Sequence, residues 1–203
     1  MLQERLEVQG SCSILVISDS HGNIPALTKV LKWVQEQINS NETSGSGLLT
    51  LEAAIFLGDG ADDVLVASVR AGFAVPWYHV RGNGDFNFSI PDPLLLEISG
   101  ISTRTILLSH GNRFGVEKDV QNIISQAQNV GADAAFFGHT HVPYYAMHDG
   151  ILLLNPGSIG RPRTRKGPTF AILHSPIKGP LEANFFCLKK RGGAIIVQEL
   201  ELH

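Results

Sequence analysis

A short apolar run, Ser13–Ser18 (SILVIS), stops abruptly at Asp19-Ser20-His21-Gly22-Asn23, and that junction constrains the chain more than any other. A continuous, partly β-branched run of this length reads as a strand covered on both faces, which is the usual state of a strand inside an α/β sheet. Pro25 then stands where a first helical turn tolerates proline, and Leu27, Val30, Leu31, Val34 and Ile38 recur at helical spacing, so Ala26–Ile38 is expected to be a helix. Asn39–Gly47, rich in Ser, Asn and Gly, is expected to be a loop.

The rhythm then repeats. Ala53–Leu57 reads as a strand, Gly58–Ala61 as a turn, Asp62–Ala71 as a helix begun by Asp62, and Val75–Val80 as a third strand before the loop Arg81–Pro93. Strand–helix–strand alternation argues for parallel strands at the centre of an α/β fold. The second half is richer in β. Leu94–Ile98 and Thr103–Ser109 read as a strand pair around Gly100, Val116–Asn129 as a helix, and Ala134–Phe137 as a short buried strand. Tyr144–His148, Ile151–Leu154, Thr169–Leu173, Asn184–Leu188 and Ala194–Gln198 come next as strands, with hairpin turns at Asp149-Gly150 and Gly192-Gly193 and a small insertion at Ser175–Pro180. With 203 residues, 43% of them hydrophobic, and no repeat or linker, the whole of 1–203 reads as a single domain.

The residues just beyond each strand carry the chemistry. Asp19 and His21 lie after the first, Gly58-Asp59 after the second and Gly82-Asn83-Gly84-Asp85 after the third. Ser109-His110-Gly111, Gly138-His139-Thr140-His141 and Asn155-Pro156-Gly157-Ser158 close three later strands. Ligands of open α/β sheets bind beyond the carboxyl ends of the strands, so these loops are expected to converge on one site. Asp19, His21, Asp59, Asn83, His110, His139 and His141 offer oxygen and imidazole nitrogen without thiolate, a donor set for Mn, Fe, Zn, Co or Ni rather than Ca²⁺ or a cysteine-type zinc. Seven side chains exceed one tetrahedral ion and suffice for two ions sharing a carboxylate. Two carboxylates against two divalent ions leave about two units of positive charge, enough to draw in a phosphate ester. Asp62 and Asp85 are candidates to receive the second N–H of metal-bound imidazoles.

In order and spacing these blocks resemble the calcineurin-like metallophosphoesterase superfamily, from about Ser13 to Thr169, and Asn155-Pro156-Gly157-Ser158 with Arg161-Pro162-Arg163 looks like its small YfcE-type branch. The resemblance implies a four-layer αββα sandwich of two mixed β-sheets. It implies Asp19, His21 and His141 on one ion, Asn83, His110 and His139 on the other, and Asp59 bridging them. It further implies a phosphoesterase, expected to be a phosphodiesterase, in which a hydroxide bridging ions about 3.5–4 Å apart attacks phosphorus in line. Manganese leads the choice of ion, with Ni, Fe, Zn, Co and Mg as alternatives. Asp59, Asn83, His110 and Arg161 are the candidate catalytic residues, Arg161 as a phosphate contact. One position departs from the pattern. Many relatives place a histidine after Asn83, able to protonate the leaving group; here it is Gly84, so a contribution of roughly 10²–10⁴-fold is absent or supplied otherwise, which favours esters with good leaving groups.

Taken singly, each residue has an ordinary explanation. Asp19 and Asp62 suit turns or helix starts, Gly82–Asp85 suits a hairpin, His110 suits a loop, and Arg161–Lys166 suits a solvated basic loop. Turns give no reason for Asp-x-His and His-x-His at successive strand ends. His79, His148, His174 and His203 lie outside the blocks and read as structural or surface residues. The same superfamily includes a non-catalytic scaffold, the retromer subunit, which acts through protein–protein contacts; its mark is a broken ligand set, and all seven positions are filled here. No G-x-G-x-x-G or P-loop comes after the first strand, which speaks against a nucleotide-binding regulatory domain.

A formal net charge of −3 gives no nucleic-acid polymer as a partner; a small phosphoester is the expected one. Glu4 and Glu7 stand where a secretory signal needs a basic start and an apolar run, and Cys12 and Cys187 form no C-x-x-C pair. The cytoplasm, no membrane, and an accidental glycosylation sequon at Asn41-Glu42-Thr43 are the expectations. An exposed strand edge in the C-terminal half leaves a homo-oligomer open.

Overall fold

Period-two burial of the central strands explains the architecture. In the computed structural model, which describes residues 1–44 and 50–202, β2 (Cys12–Ile17) is buried along its whole length. Its Ile14 and Val16 join one apolar cluster, while Leu15 and Ile17 join another, as alternation across a strand requires. The first cluster lies between two sheets, where Ile14 and Val16 meet Leu96, Ile106, Leu108, Ala134 and Phe136. The second packs β2 against α1 (Ile24–Ser44) and α2 (Ala61–Ala71) through Leu27, Val30, Leu31, Val34, Val64 and Ala67. On the far side, β7 (Ala134–Phe137) turns Ala135 and Phe137 toward Ile123, Ile124 and Ala127 of α3 (Gln121–Asn129). Helices, sheet, sheet and helix make four layers, the expected αββα sandwich.

One sheet runs β1-β5-β6-β7-β9-β8, with β1 (Leu2–Glu7), β5 (Leu94–Ser99), β6 (Arg104–Ser109), β8 (Pro143–His148) and β9 (Ile151–Pro156). The other runs β12-β11-β10-β2-β3-β4, with β3 (Leu51–Phe56), β4 (Trp77–His79), β10 (Thr169–Ser175), β11 (Glu182–Arg191) and β12 (Ala194–Leu200). Both are mixed: β2-β3-β4 and β6-β7-β9 are parallel, while β10 pairs antiparallel with β2 and β8 with β9. The hairpin turns fall where Asp149-Gly150 and Gly192-Gly193 require positive φ at both central positions, at 48° and 82° and at 56° and 83°. β8 and β12 are sheet edges, as foreseen for the C-terminal half.

Four expectations change. The helix expected to stop at Ile38 continues to Ser44, because Asn, Ser and Glu cost a helix only tenths of a kcal/mol and no glycine or proline intervenes before Gly45. Of the loop placed at Asn39–Gly47, residues 45–47 lie outside the described residues, as does His203. Glu4 and Glu7 belong to a strand that the sequence did not announce, β1, parallel to β5; only Leu6 of it reaches the inter-sheet core, too little for an alternation to show. α2 is not begun by an Asp62 cap: Gly60 precedes it with no side-chain cap. The helix placed at Val116–Asn129 starts at Gln121, after a 3-10 turn at Asn112–Phe114. No helix among the described residues is long and apolar enough to cross a membrane.

Parallel strands in both sheets end on the same side, and backbone hydrogen bonds tie their loops together. Asp19 N donates to Gly58 O at 3.0 Å, His21 N to Asp59 O at 3.0 Å, Gly138 N to His110 O at 3.1 Å and Gly160 N to Asp19 O at 2.9 Å.

Candidate metal centre

At that junction five residues hold a left-handed backbone: Asp19 (φ 55°), His21 (45°), Asp59 (58°), His139 (64°) and His141 (59°). Among the described residues, Asp149 in its hairpin turn is the remaining non-glycine case. Each such residue costs about 1–2 kcal/mol, so five in one place mark a site where local comfort gives way to side-chain placement. Close packing between loops imposes the conformation. A Cβ on Gly82 would stand 2.1 Å from Asp59 Oδ1, and one on Gly138 2.0 Å from Ser18 Oγ, so only glycine lets these loops meet.

Two groups of donor atoms result. Asp19, His21 and His141 form the first, and Asp19, Asp59 and His110 the second, each with its ligand-capable atoms within 4.8 Å of one another. His141 Nε2 lies 3.1 Å and His21 Nε2 3.6 Å from Asp19 Oδ1, and the two imidazole nitrogens face each other at 3.1 Å. Asp19 is common to both groups, and Asp59, a member of the second, also reaches toward the first. Asp59 Oδ2 lies 3.7 Å from His21 Nε2 and its Oδ1 3.6 Å from His110 Nε2. Asn83 Oδ1 sits 3.1 Å from His110 Nε2. His139 stands at the rim, its ring centroid 5.1 Å from that of His110, with Nε2 3.8 Å from Glu117 Oε2 and its amide donating to Asp19 Oδ2 at 3.1 Å. Arg161 is exposed and lines a cleft of about 310 Å³ together with His21 and Asp59.

Two of the imidazoles are oriented by backbone rather than by carboxylates: His110 Nδ1 faces Leu57 O at 2.7 Å and His141 Nδ1 faces Arg161 O at 2.7 Å. An N–H there places the lone pair on Nε2, pointing into the cluster. Asp62 and Asp85 therefore do not hold imidazoles. Asp85 accepts the amides of Asp59 (2.9 Å), Gly60 (2.8 Å), Ala61 (3.0 Å) and Gly82 (2.8 Å), which fixes the Asp59 loop and the start of α2. Asp63, not Asp62, holds the first loop, accepting from Ser20 Oγ at 2.6 Å and Gly22 N at 2.8 Å. Asp92 carried no signal in the sequence, yet its Oδ1 accepts from Ser109 Oγ at 2.8 Å and His110 N at 3.1 Å. Neighbouring aspartates are indistinguishable by pattern, and Asp92 lies in a loop with no periodicity to read. Asn155 and Ser158 are buckles between loops: Asn155 Nδ2 donates to Gly138 O at 2.7 Å, and Ser158 Oγ donates to Asp19 O at 2.9 Å.

The electrostatics reflect this arrangement. Burial alone would raise the Asp19 carboxyl, but the adjoining His141 and His21 imidazoles, with His110 and the Ser18 hydroxyl, hold it well below the usual carboxylate range. His141 is pushed up by its contact with Asp19. His139 is pushed down by burial and by nearby His110. Asp19 Oδ1 is fully buried and has no hydrogen-bond partner. A buried carboxylate oxygen with no hydrogen-bond partner, beside the ring nitrogens of His141 and His21, is costly unless a positive charge satisfies it, so the donor set fits divalent metal ions.

The chain is similar to known proteins in sequence and in fold. The sequence profile of the calcineurin-like phosphoesterase superfamily domain matches residues 13–176. The chain is 32% identical over 161 residues to a probable metallophosphoesterase, YsnB of Bacillus subtilis, covering 79% of this chain and 83% of that protein. It is 27% identical over 188 residues to the phosphodiesterase YfcE of Escherichia coli, covering 84% of this chain and 92% of that one. The structure superposes on Vps29 of Entamoeba histolytica complexed with zinc at a TM-score of 0.64 and 18% identity, covering 93% of this chain and 98% of that one.

Proposed function

This chain belongs to the calcineurin-like phosphoesterase superfamily, and from that premise we propose that it is a dinuclear-metal phosphodiesterase acting on a small phosphoester. The observation that carries the reading is Asp19 Oδ1, buried, without a hydrogen donor, and faced by His141 and His21. In this reading Asp19, His21 and His141 would hold one ion, Asn83, His110 and His139 would hold the other, and Asp59, with one oxygen toward His21 and one toward His110, would serve both. Divalent ions there, manganese foremost, would supply Lewis acidity toward a phosphoryl oxygen and lower the pKa of water.

The protein's own part is positioning. The Leu57 and Arg161 carbonyls keep the Nε2 lone pairs of His110 and His141 aimed inward, and Asp85 holds Asp59 in its strained conformation. Arg161 offers a guanidinium on the wall of the same cleft for a phosphoryl oxygen. Gly84 brings no proton donor, and its amide is committed to Asp59 Oδ1 at 2.6 Å. Leaving groups must then depart largely unassisted. The protein stripped with chelator and reloaded with Mn²⁺ or Ni²⁺ is expected to cleave bis(4-nitrophenyl) phosphate at least ~10²-fold faster than a dialkyl phosphodiester. Absence of hydrolysis with every first-row ion, despite measured ion binding, would favour a non-catalytic scaffold instead, a reading kept in view by the structural likeness to Vps29.

A further inference from the structure

Two exposed phenylalanines crown the loop beyond Asn83. Phe86 is 89% and Phe88 78% exposed, although a benzyl side chain gains about 2–3 kcal/mol by leaving water. Their situations differ. The Arg81 guanidinium lies 4.5 Å above the Phe88 ring and covers that face. Phe86 instead stands in the wall of two clefts at once: one of about 260 Å³ that it shares with Asn83 and Arg113, and the 310 Å³ cleft that it shares with His21, Asp59 and Arg161.

The loop carrying it is anchored. Asp85, the residue before it, is bonded to four amides; Asn87 Oδ1 accepts from Ser89 N at 3.1 Å; and Arg81 N reaches Pro91 O at 2.8 Å. Gly84, which lines the same cleft, adds no side chain beside Asp59, where even a Cβ would come within 3.1 Å of Asp59 Oδ1. An anchored, uncovered ring beside a phosphoryl site, with Arg113 and Arg161 on the flanking walls, matches a planar aromatic group joined to a phosphate.

We infer that Phe86 is a specificity-determining platform on which the aromatic moiety of the phosphoester substrate, a nucleobase or aryl ring, stacks while its phosphoryl group sits among the residues of the candidate metal centre. The inference rests on the phosphoesterase reading for the position of the phosphate, and binding rather than turnover tests it. Calorimetry on Mn²⁺-loaded protein should show AMP binding roughly tenfold tighter than ribose 5-phosphate, and phenyl phosphate tighter than methyl phosphate, the usual worth of one stacked ring. Phe86→Ala should bring both ratios close to one, and Phe86→Trp should keep them. A preference confined to phenyl phosphate assigns the platform to aryl rings; one shown by AMP extends it to bases. Equal affinities in the unaltered protein, ratios that survive Phe86→Ala, or no binding of any of the four phosphates overturn the platform. A Phe86-dependent preference in a protein that cleaves no ester refutes the hydrolase reading alone. Ester cleavage without the preference refutes the platform alone.

Discussion

Asp59→Asn should lower kcat/KM for an aryl phosphodiester by about 10³-fold or more while leaving the fold in place. Asparagine keeps the volume of the side chain and an oxygen able to accept from Gly84 N, so the contact now made at 2.6 Å can persist. What it loses is the negative charge that faces His21 through one oxygen and His110 through the other. A carboxylate serving two cations contributes several kcal/mol of charge compensation, and each 1.36 kcal/mol is a decade in rate. Ion content per chain, measured on the same preparation, should fall toward one or none, while the melting temperature of the metal-free variant should stay within a few degrees of the metal-free parent. Full activity in this variant would remove Asp59 from its shared role. Loss of activity together with loss of the fold would show that the residue is structural instead.

The second large effect is on stability. Asp85→Ala strips the acceptor from four amides at once, those of Asp59, Gly60, Ala61 and Gly82. Charge-assisted bonds of this kind are worth about 1.5–3 kcal/mol each, and water entering the gap recovers part of that, so a net loss of about 3–5 kcal/mol is expected. For a chain of this size that is a fall of roughly 10 °C in melting temperature. Asp85→Asn should fall between, because an amide offers one acceptor and turns its NH₂ toward donors.

A pH series sharpens the test. Burial opposes ionisation of Asp85, but the amides of Gly82, Gly60, Ala61 and Asp59 outweigh it and lower its pKa in the folded state. A depressed folded pKa means the stabilisation is complete above the unfolded value of about 3.9 and is lost as pH falls through the folded value. Denaturation midpoints should therefore drop less steeply below about pH 4 in Asp85→Ala than in the parent. Parallel pH profiles would show that Asp85 does not carry the charge assigned to it.

Much of the molecule was legible from residues in order. Fully apolar runs such as Ile14–Ile17 and Ala134–Phe137 announce strands covered on both faces, because only there is a side chain on either face of the pleat shielded from water. The abrupt change from such a run to Asp, His, Asn or Gly marks the strand end, and six such changes at strand ends marked the site. Less visible was anything depending on weak or shared signals. β1 contributes Leu6 alone to the inter-sheet core, and the polar tail of α1 has no stop signal until Gly45.

The sequence alone determined which side chains stand at the strand ends and that their donor set is oxygen and imidazole, since residue type and spacing are written there directly. Tertiary structure alone decided how those side chains are held: that Asp63 rather than Asp62 fastens the first loop, that Asp85 gathers four amides instead of an imidazole, and that carbonyls of Leu57 and Arg161 orient His110 and His141. The reason is physical. A hydrogen bond between loops separated by tens of residues depends on where two sheets bring their ends together, and no local pattern of residues carries that information.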